Sequence, residues 1–372
     1  MAVLTAILVV NAGSSSLKLR ILDDADSVVG SADLPPPRGA AGADAIKEAI
    51  GPFRDLHAVG HRIVHGGNLF SGPVLIDPGV RQQLGALTDL APLHQPKSLT
   101  ALDAVQAVLP DVPAIACFDT AFHATIPDFA ATFALPAEWR ERWGLRRFGF
   151  HGLSHAYASR QTAEILGSDL SALRTVSCHL GAGASLAAVQ GGRSVDTTMS
   201  FTPLDGLVMA TRSGSVDPGL VLWLESHAGM LEDELASALE YRSGLYGLAG
   251  TADMREILSR ATAGDARAEL AREVYLYRLR GGVAAMAAAM GGLDALAFTA
   301  GVGENSAEIR SRVMDGLGFL GVSPAAEGNA AGTGDREIGR PNAPVRSLVI
   351  GAREDIEIAR QVRAILRSLP PP

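Results

Sequence analysis

The sequence predicts an α/β protein built from two similar domains, and three observations carry that reading. The chain has 372 residues, more than one ordinary hydrophobic core serves, so two domains are expected. Apolar runs of strand length alternate with segments of helical spacing along most of the chain, the pattern of α/β proteins. An opening of strand, glycine turn and strand, "ILVVNAGSSSLKLRIL" at 7–22, returns about 165 residues later, too long a period for a solenoid. The second copy is "RTVSCHLGAGASLAAVQGGRSVDTTMSF" at 174–201.

The elements follow in order. The first ten residues are apolar but lack the cationic start of a secretory leader, and strand-like "LKLRIL" follows the turn at once. Residues 31–44, "SADLPPPRGAAGAD", read as loop because prolines and glycines interrupt every period. "AVGHRIVHGG" at 58–67 is a strand ending in a glycine pair. Helical spacing at 80–109 is broken at "APLHQP", whose prolines force a loop. "VPAIACFDTAFH" is a strand that delivers Asp119 at its carboxyl end, and 155–166 is a helix. In the second half, 230–244 and 266–290 read as long helices. Residues 281–301 read as a buried helix, a break at Gly291-Gly292 and a buried strand, because Asp294 and the glycines spoil a membrane span. A helix at 306–318 follows, and 347–366 closes the chain as strand then helix. Only 329–339 and the terminal prolines are expected to be disordered.

Composition narrows the function. Hydrophobic residues make up 47% and charged residues 19%, with a formal charge of -8. That balance offers no broad basic footprint for nucleic acid. It also means that a site for anions must gather its cations locally. Cys117 and Cys178 are the only two cysteines; they form no metal spacing, are expected to be buried small apolar residues, and suit a reducing cytoplasm.

Four glycine-rich turns follow apolar runs: "NAGSSSLK", "HLGAGAS", "SGLYGLAGTADMR" and "TAGVGENS". Glycine lets a backbone approach a ligand, and exposed N–H groups with hydroxyls can cradle phosphate oxygens. One such turn is ordinarily only a turn; four in one chain point toward a nucleotide. There is no G-x-x-x-x-G-K-[ST]. The G-x-G-x-x-G at 316–321 follows a helix and not a strand, so it reads as a helix end and turn. His61 and His65 are i, i+4 but on a strand, where they lie far apart and hold no metal. Arg62 and Arg212 sit in apolar or glycine context, where a buried arginine needs an anionic partner. That partner is either a carboxylate of the protein or a phosphoryl group in transfer.

The motifs "VVNAGSSSLK", "GHRIVHGG", "APLH", "FDTAFH", "RFGFHGLSH", "HLGAGAS", "TPLDGLVMATRSG", "VDPG", "FTAGVGENS" and "IEIAR" occur in this order along essentially the whole chain. Together they resemble the acetate kinase family of acetate, propionate and butyrate kinases. The resemblance implies an actin-like ATPase, or ribonuclease H-like, fold: two related domains with an active-site cleft between them. It places an N-terminal domain at 1–122 plus about 357–372 and a C-terminal nucleotide-binding domain at 123–356. It implies reversible, direct in-line phosphoryl transfer from ATP to acetate, with Mg²⁺ or Mn²⁺, in a cytoplasmic homodimer that binds neither nucleic acid nor membrane.

The resemblance also assigns roles. Asn11 and Glu354 match the metal residues, and Ser14, Ser16 and Lys18 the phosphate-facing turn. Arg62 matches the residue holding the substrate carboxylate, Asp119 the catalytic aspartate, and His151 and Arg212 the transition-state stabilisers. His179, Leu180, Gly181, Ala182 and Gly183 match the phosphate side of the nucleotide site. Asp253, Met254 and Arg255, with Gly301, Val302, Gly303, Glu304 and Asn305, match the adenosine side. Val64, Leu93, Phe150 and Pro203 match the apolar pocket for the acyl methyl. A carboxylate acceptor is already ionised at neutral pH, its usual pKa being about 4, so Asp119 is expected to orient an arginine, a water or the metal. The chain departs from the family at Ala182, where asparagine is usual, and at Ser215, where an acidic residue is usual. A propionate or butyrate kinase, pyrophosphate as donor, and an actin-like or Hsp70-like ATPase switch are the alternative readings.

Overall fold

The structure, a computed structural model, describes residues 6–13, 16–37, 39–53, 55–92, 94–330 and 332–369. The terminal prolines lie outside them. The chain divides into two compact units. Unit 1 comprises Met1–Ala124, Gly152–Tyr157 and Arg353–Pro372; unit 2 comprises Thr125–His151 and Ala158–Ala352.

Unit 1 holds a six-stranded sheet made of β1 (Ala6–Ala12), β2 (Leu17–Leu22), β3 (Val28–Leu34), β4 (Leu56–Ile63), β5 (Val74–Leu75) and β6 (Ala114–Phe118), in the order β3-β2-β1-β4-β6-β5. The first three strands are antiparallel, β1, β4 and β6 are parallel, and β5 returns antiparallel to β6. The apolar run of β1 is explained by burial on both faces. Ile7 and Val9 pack with Ile358, Ala359 and Val362 of the C-terminal helix Glu354–Ser368. Leu8 and Val10 pack with Ile46, Ala101 and Val105, from the helices Gly39–Ile50 and Gln95–Val108. Gly60 on β4 is required by that C-terminal helix, since a Cβ there would sit 2.4 Å from Ile358 Cγ2.

Unit 2 repeats the plan with β7 (Arg174–Leu180), β8 (Ala184–Gln190), β9 (Arg193–Thr197), β10 (Ala295–Thr299), β11 (Arg336–Glu337) and β12 (Arg346–Val349). Their order is β11-β12-β10-β7-β8-β9. The directions match strand for strand: β7, β8 and β9 antiparallel, β7, β10 and β12 parallel, β11 antiparallel to β12. The duplication read from two hairpin openings thus extends to entire sheets. The helix Ala266–Ala289 buries Tyr275, Leu276, Leu279 and Val283. Cys117 and Cys178 are free thiols, buried as expected. No helix of the described residues is long and apolar enough to cross a membrane.

Some local expectations change. Residues 31–44 are not loop: β3 runs to Leu34, and a helix begins at Gly39. Pairing with β2 imposes the strand on a sequence of weak propensity, and burial of Ile46 and Ile50, one turn apart, secures an Ala/Gly-rich helix. Two glycine-rich "turns" contain short helices, Gly244–Ala249 and Ala300–Asn305. Residues 329–339 include the end of helix Ala326–Ala330 and the short strand β11, held by its ladder to β12.

Candidate active site

Three parallel strands of unit 1 carry the polar residues at their carboxyl ends, where open α/β sheets bind ligands. Asn11 lies at the end of β1, Arg62 near the end of β4, and Asp119 directly after β6. β4 is the central strand, so Arg62 meets a neighbour on each side. Its Nε and Nη2 donate to Asp119 Oδ1 and Oδ2 at 3.0 and 2.6 Å, and its Nη1 donates to Asn11 Oδ1 at 3.1 Å. Glu354, opening the C-terminal helix, lies 3.7 Å from Arg62 Nε and accepts from Asn11 Nδ2 at 3.0 Å. Asp119 is only 1% exposed. Burial draws the Arg62 guanidinium down, but Asp119 and Glu354 outweigh it and hold the group above its usual range. Burial raises the Asp119 carboxyl, against the pull of Arg62. Both carboxyl oxygens accept guanidinium N–H groups, an arrangement that suits the ionised form. The protein-carboxylate partner foreseen for Arg62 is therefore Asp119.

The turn after β1 closes with Gly13 N–H donating to Ser16 O at 2.8 Å. Lys18 pairs with Asn11 across β1 and β2 and is exposed. Ser14 and Leu93 lie outside the described residues. Val64, just past β4, is buried in unit 1.

A second constellation lies in unit 2. His151 is the residue preceding the helix Gly152–Ile165 and has φ +56°, a left-handed conformation that strains any residue but glycine. Its ring stacks on His179 at 4.1 Å, and its Nδ1 lies 2.9 Å from Ser185 Oγ. Gly183 fits beneath: a Cβ there would lie 3.4 Å from the His151 ring and 3.5 Å from Arg212 Nη1. Arg212 is pinned by Glu240, Nε to Oε1 at 2.8 Å, and by Pro203 O at 3.2 Å from Nη1. His151, His179, Gly183, Pro203 and Arg212 thus converge, and Arg212 too has a protein carboxylate. Phe150, next to His151, is buried.

The third feature is a cavity of about 830 Å³ in unit 2. Of the residues matched to a nucleotide, Gly181, Ala182, Met254, Gly301, Val302 and Asn305 line it, as do Asp253 and Arg255. Asp253 caps the helix Met254–Thr262 and pairs with Arg255, which leaves that arginine largely in solvent. His179, Leu180, Gly183, Gly303 and Glu304 are not among the lining residues. Leu180 and Gly303 are buried, and Glu304 turns to accept the Ala352 N–H at 2.9 Å.

The residues missed in the sequence are those that hold others. Glu240 fastens Arg212 from a helix that carried no motif, and Ser185 closes the turn "HLGAGAS", where nothing in the sequence marked a role of its own. Leu245, Leu258, Tyr275 and Glu308 also line the cavity. Tyr275 was visible only as an apolar position of the helix 266–290, and Leu258 lies on the helix Met254–Thr262, which was not singled out in the sequence.

A divalent cation that bridges phosphates takes hard oxygen donors, one or two of them carboxylates, and keeps several waters. Among the described residues no group of three or more His, Cys, Asp or Glu gathers to cage a metal. Glu354 accepts from Asn11 Nδ2 and Asn11 Oδ1 accepts from Arg62; a carboxylate and an amide oxygen are the donor types such an ion takes.

Residues 43–360 match the model of the Acetokinase family. The chain is 46% identical over 327 residues to the acetate kinase of Nostoc punctiforme, which covers 88% of this chain and 80% of that protein. Among solved structures it resembles acetate kinase of Porphyromonas gingivalis, with a TM-score of 0.90, 35% identity and coverage of 97% of this chain and 100% of that one. It resembles equally a propionate kinase of Francisella tularensis subsp. tularensis, with a TM-score of 0.89, 34% identity and coverage of 96% and 98%.

Proposed function

The chain belongs to the acetokinase family, and from that premise we propose that it transfers the γ-phosphoryl group of ATP to acetate, giving acetyl phosphate and ADP. The observation that carries this reading is Arg62. Three of its N–H groups go to Asp119 and Asn11; a guanidinium has five, so one on each terminal nitrogen remains for an anionic acceptor such as a carboxylate.

The chemistry asks mostly for charge management. An acetate oxygen forms a bond to the γ-phosphorus as the bond from that phosphorus to the ADP oxygen breaks. The acetate enters ionised and ADP leaves with the electron pair, so the charges balance without a proton. Asp119 then orients Arg62, which holds the acceptor. Arg212 and His151 donate to the equatorial oxygens, and Glu240 and Ser185 fix their directions. When bound, the divalent ion, Mg²⁺ or Mn²⁺, neutralises charge on the phosphates; Asn11 and Glu354 would hold it. Ser14, Ser16 and Lys18 serve the phosphates. The adenine and ribose occupy the cavity beside Gly301 and Val302, with the phosphates toward Gly181 and Ala182.

The family match gives Val64, Leu93, Phe150 and Pro203 the part of the acyl pocket in this reading. One methylene is worth about 1–3 kcal/mol in such a pocket, and the likeness to a propionate kinase supports propionate as a second substrate. A cytoplasmic homodimer is part of the proposal. The helix Pro218–Ala228 buries none of its residues, yet exposes Leu220, Leu222 and Trp223, a face suited to a second copy.

The test is a matrix of two- to four-carbon acids against ATP and pyrophosphate, with Mg²⁺, trapping acyl phosphate as hydroxamate. Acetyl hydroxamate formed with ATP is expected. No acyl phosphate from any acid sinks the proposal, and slow ATP loss indifferent to acids would favour the ATPase switch.

A further inference from the structure

We propose that Arg310 is a positioning residue for nucleotide binding, acting by clamping the carboxyl end of the helix Ala300–Asn305. This rests on the reading that the nucleotide occupies the cavity lined by Gly301, Val302 and Asn305.

Arg310 is 2% exposed and, among the described residues, makes no ion pair. Such burial ordinarily demands a carboxylate. Here the guanidinium is spent on neutral acceptors. Nη1 donates to Gly303 O at 2.9 Å and to Glu304 O at 2.7 Å. Nε donates to Asn329 Oδ1 at 2.7 Å, and Nη2 to Asn329 O at 2.8 Å. Asn329 Nδ2 in turn donates to Ala307 O at 2.7 Å. Burial, with the nearby Arg336, pushes the guanidinium down to about 10, so it stays charged at neutral pH.

The helix it clamps cannot stand alone. Six residues are far below the length at which an isolated helix persists. Its first residue, Ala300, has φ +65°, a strained conformation that survives only where its surroundings impose it. Thr299 precedes it with no side-chain cap, and the buried Thr299 Oγ1 has no partner among the described residues. Stability must come from the other end. There Asn305 Nδ2 takes Gly301 O at 2.8 Å, the Ser306 N–H takes Val302 O at 3.0 Å, and Arg310 takes the next two carbonyls. A cation on the last carbonyls also meets the negative end of the helix dipole. The wall of the cavity that carries Gly301 and Val302 is thus held by a side chain that does not itself line the cavity.

The test compares Arg310→Met and Arg310→Lys with the wild type in steady-state kinetics and in calorimetric titration with ADP. Loosening a preorganised wall is expected to raise KM for ATP and the ADP dissociation constant about tenfold in Arg310→Met. KM for acetate should stay within about twofold, and the lysine, which can reach some carbonyls, should recover part of the loss. Asn329→Ser gives the same pattern more weakly if either arginine variant fails to fold. Equal rises in both KM values, or a lower melting temperature with ADP affinity intact, overturn the inference. Gly301→Phe separates this from the underlying reading. Gly301 lines the cavity and open space surrounds a Cβ there, so a ring at this position has room in the space proposed for the nucleotide. ADP bound as tightly by that variant as by wild type would overturn the nucleotide reading, and the inference with it.

Discussion

Asp119→Asn keeps shape and volume while removing the charge behind Arg62. The side chain is buried, and both its oxygens accept from Arg62, at 3.0 and 2.6 Å. Asparagine keeps one acceptor and turns an NH₂ toward a guanidinium N–H. One charge-assisted bond is lost, worth about 1.5–3 kcal/mol, and a donor is set against a donor. Removing one partner of a buried pair costs about 3–5 kcal/mol in full, but Asn11 and Glu354 still face Arg62. The expected cost is therefore about 2–4 kcal/mol, or roughly 30- to 1000-fold if it falls on acetate kcat/KM. The assay varies acetate at saturating ATP, trapping acetyl phosphate as hydroxamate, with guanidinium unfolding measured alongside. A variant that loses stability but keeps its acetate kcat/KM would refute the orienting role. So would a wild-type loss of activity in acid that vanishes in Asp119→Asn with KM unchanged, because Asp119 would then be a base.

Arg212→Ala should lower turnover about 10²–10³-fold, the usual cost of removing a group that stabilises developing charge; a loss confined to KM would argue against that role, and Glu240→Gln should give a smaller loss of the same kind. Ala182→Asn should lower KM for ATP about fivefold, one added hydrogen bond being worth about 1 kcal/mol; an unchanged KM would place position 182 away from the phosphates. Burial pushes His61 and His65 down to about 4, with Asp103 opposing it at His61. The unfolded chain therefore binds protons at these rings that the folded protein refuses between about pH 4 and 6.5, and stability falls on acidification by about 2 kcal/mol per histidine from pH 7 to 5. A urea midpoint flat across that range would contradict this. Leu222→Glu should yield a monomer by light scattering, and an unchanged mass would remove the helix Pro218–Ala228 from the proposed dimer face.

Much of the fold was legible because its signals are local. Strand–glycine–strand openings, the apolar run of β1 and the helical spacing of 266–290 all lie within one element. The prolines of 31–44 misled because β3 draws its stability from β2, not from its own residues. Arg62 and Arg212 stood out too, since an arginine in apolar context calls for an anionic partner; Asp119, Glu354 and His151 took their roles from the resemblance alone.

What no local pattern could decide is which of these residues meet. Asn11 and Glu354 are 343 positions apart; the apolar stripe of the last helix brings them together by packing on β1 and β4. Glu240 reaches Arg212 across 28 positions, and Arg310 spends its charge on backbone carbonyls that no sequence labels as partners. The sequence alone determined most of the elements, the duplicated hairpin openings and the two arginines in apolar context. Only the tertiary structure decided the pairings, because a buried charge takes whichever acceptor the packed core sets within hydrogen-bond reach.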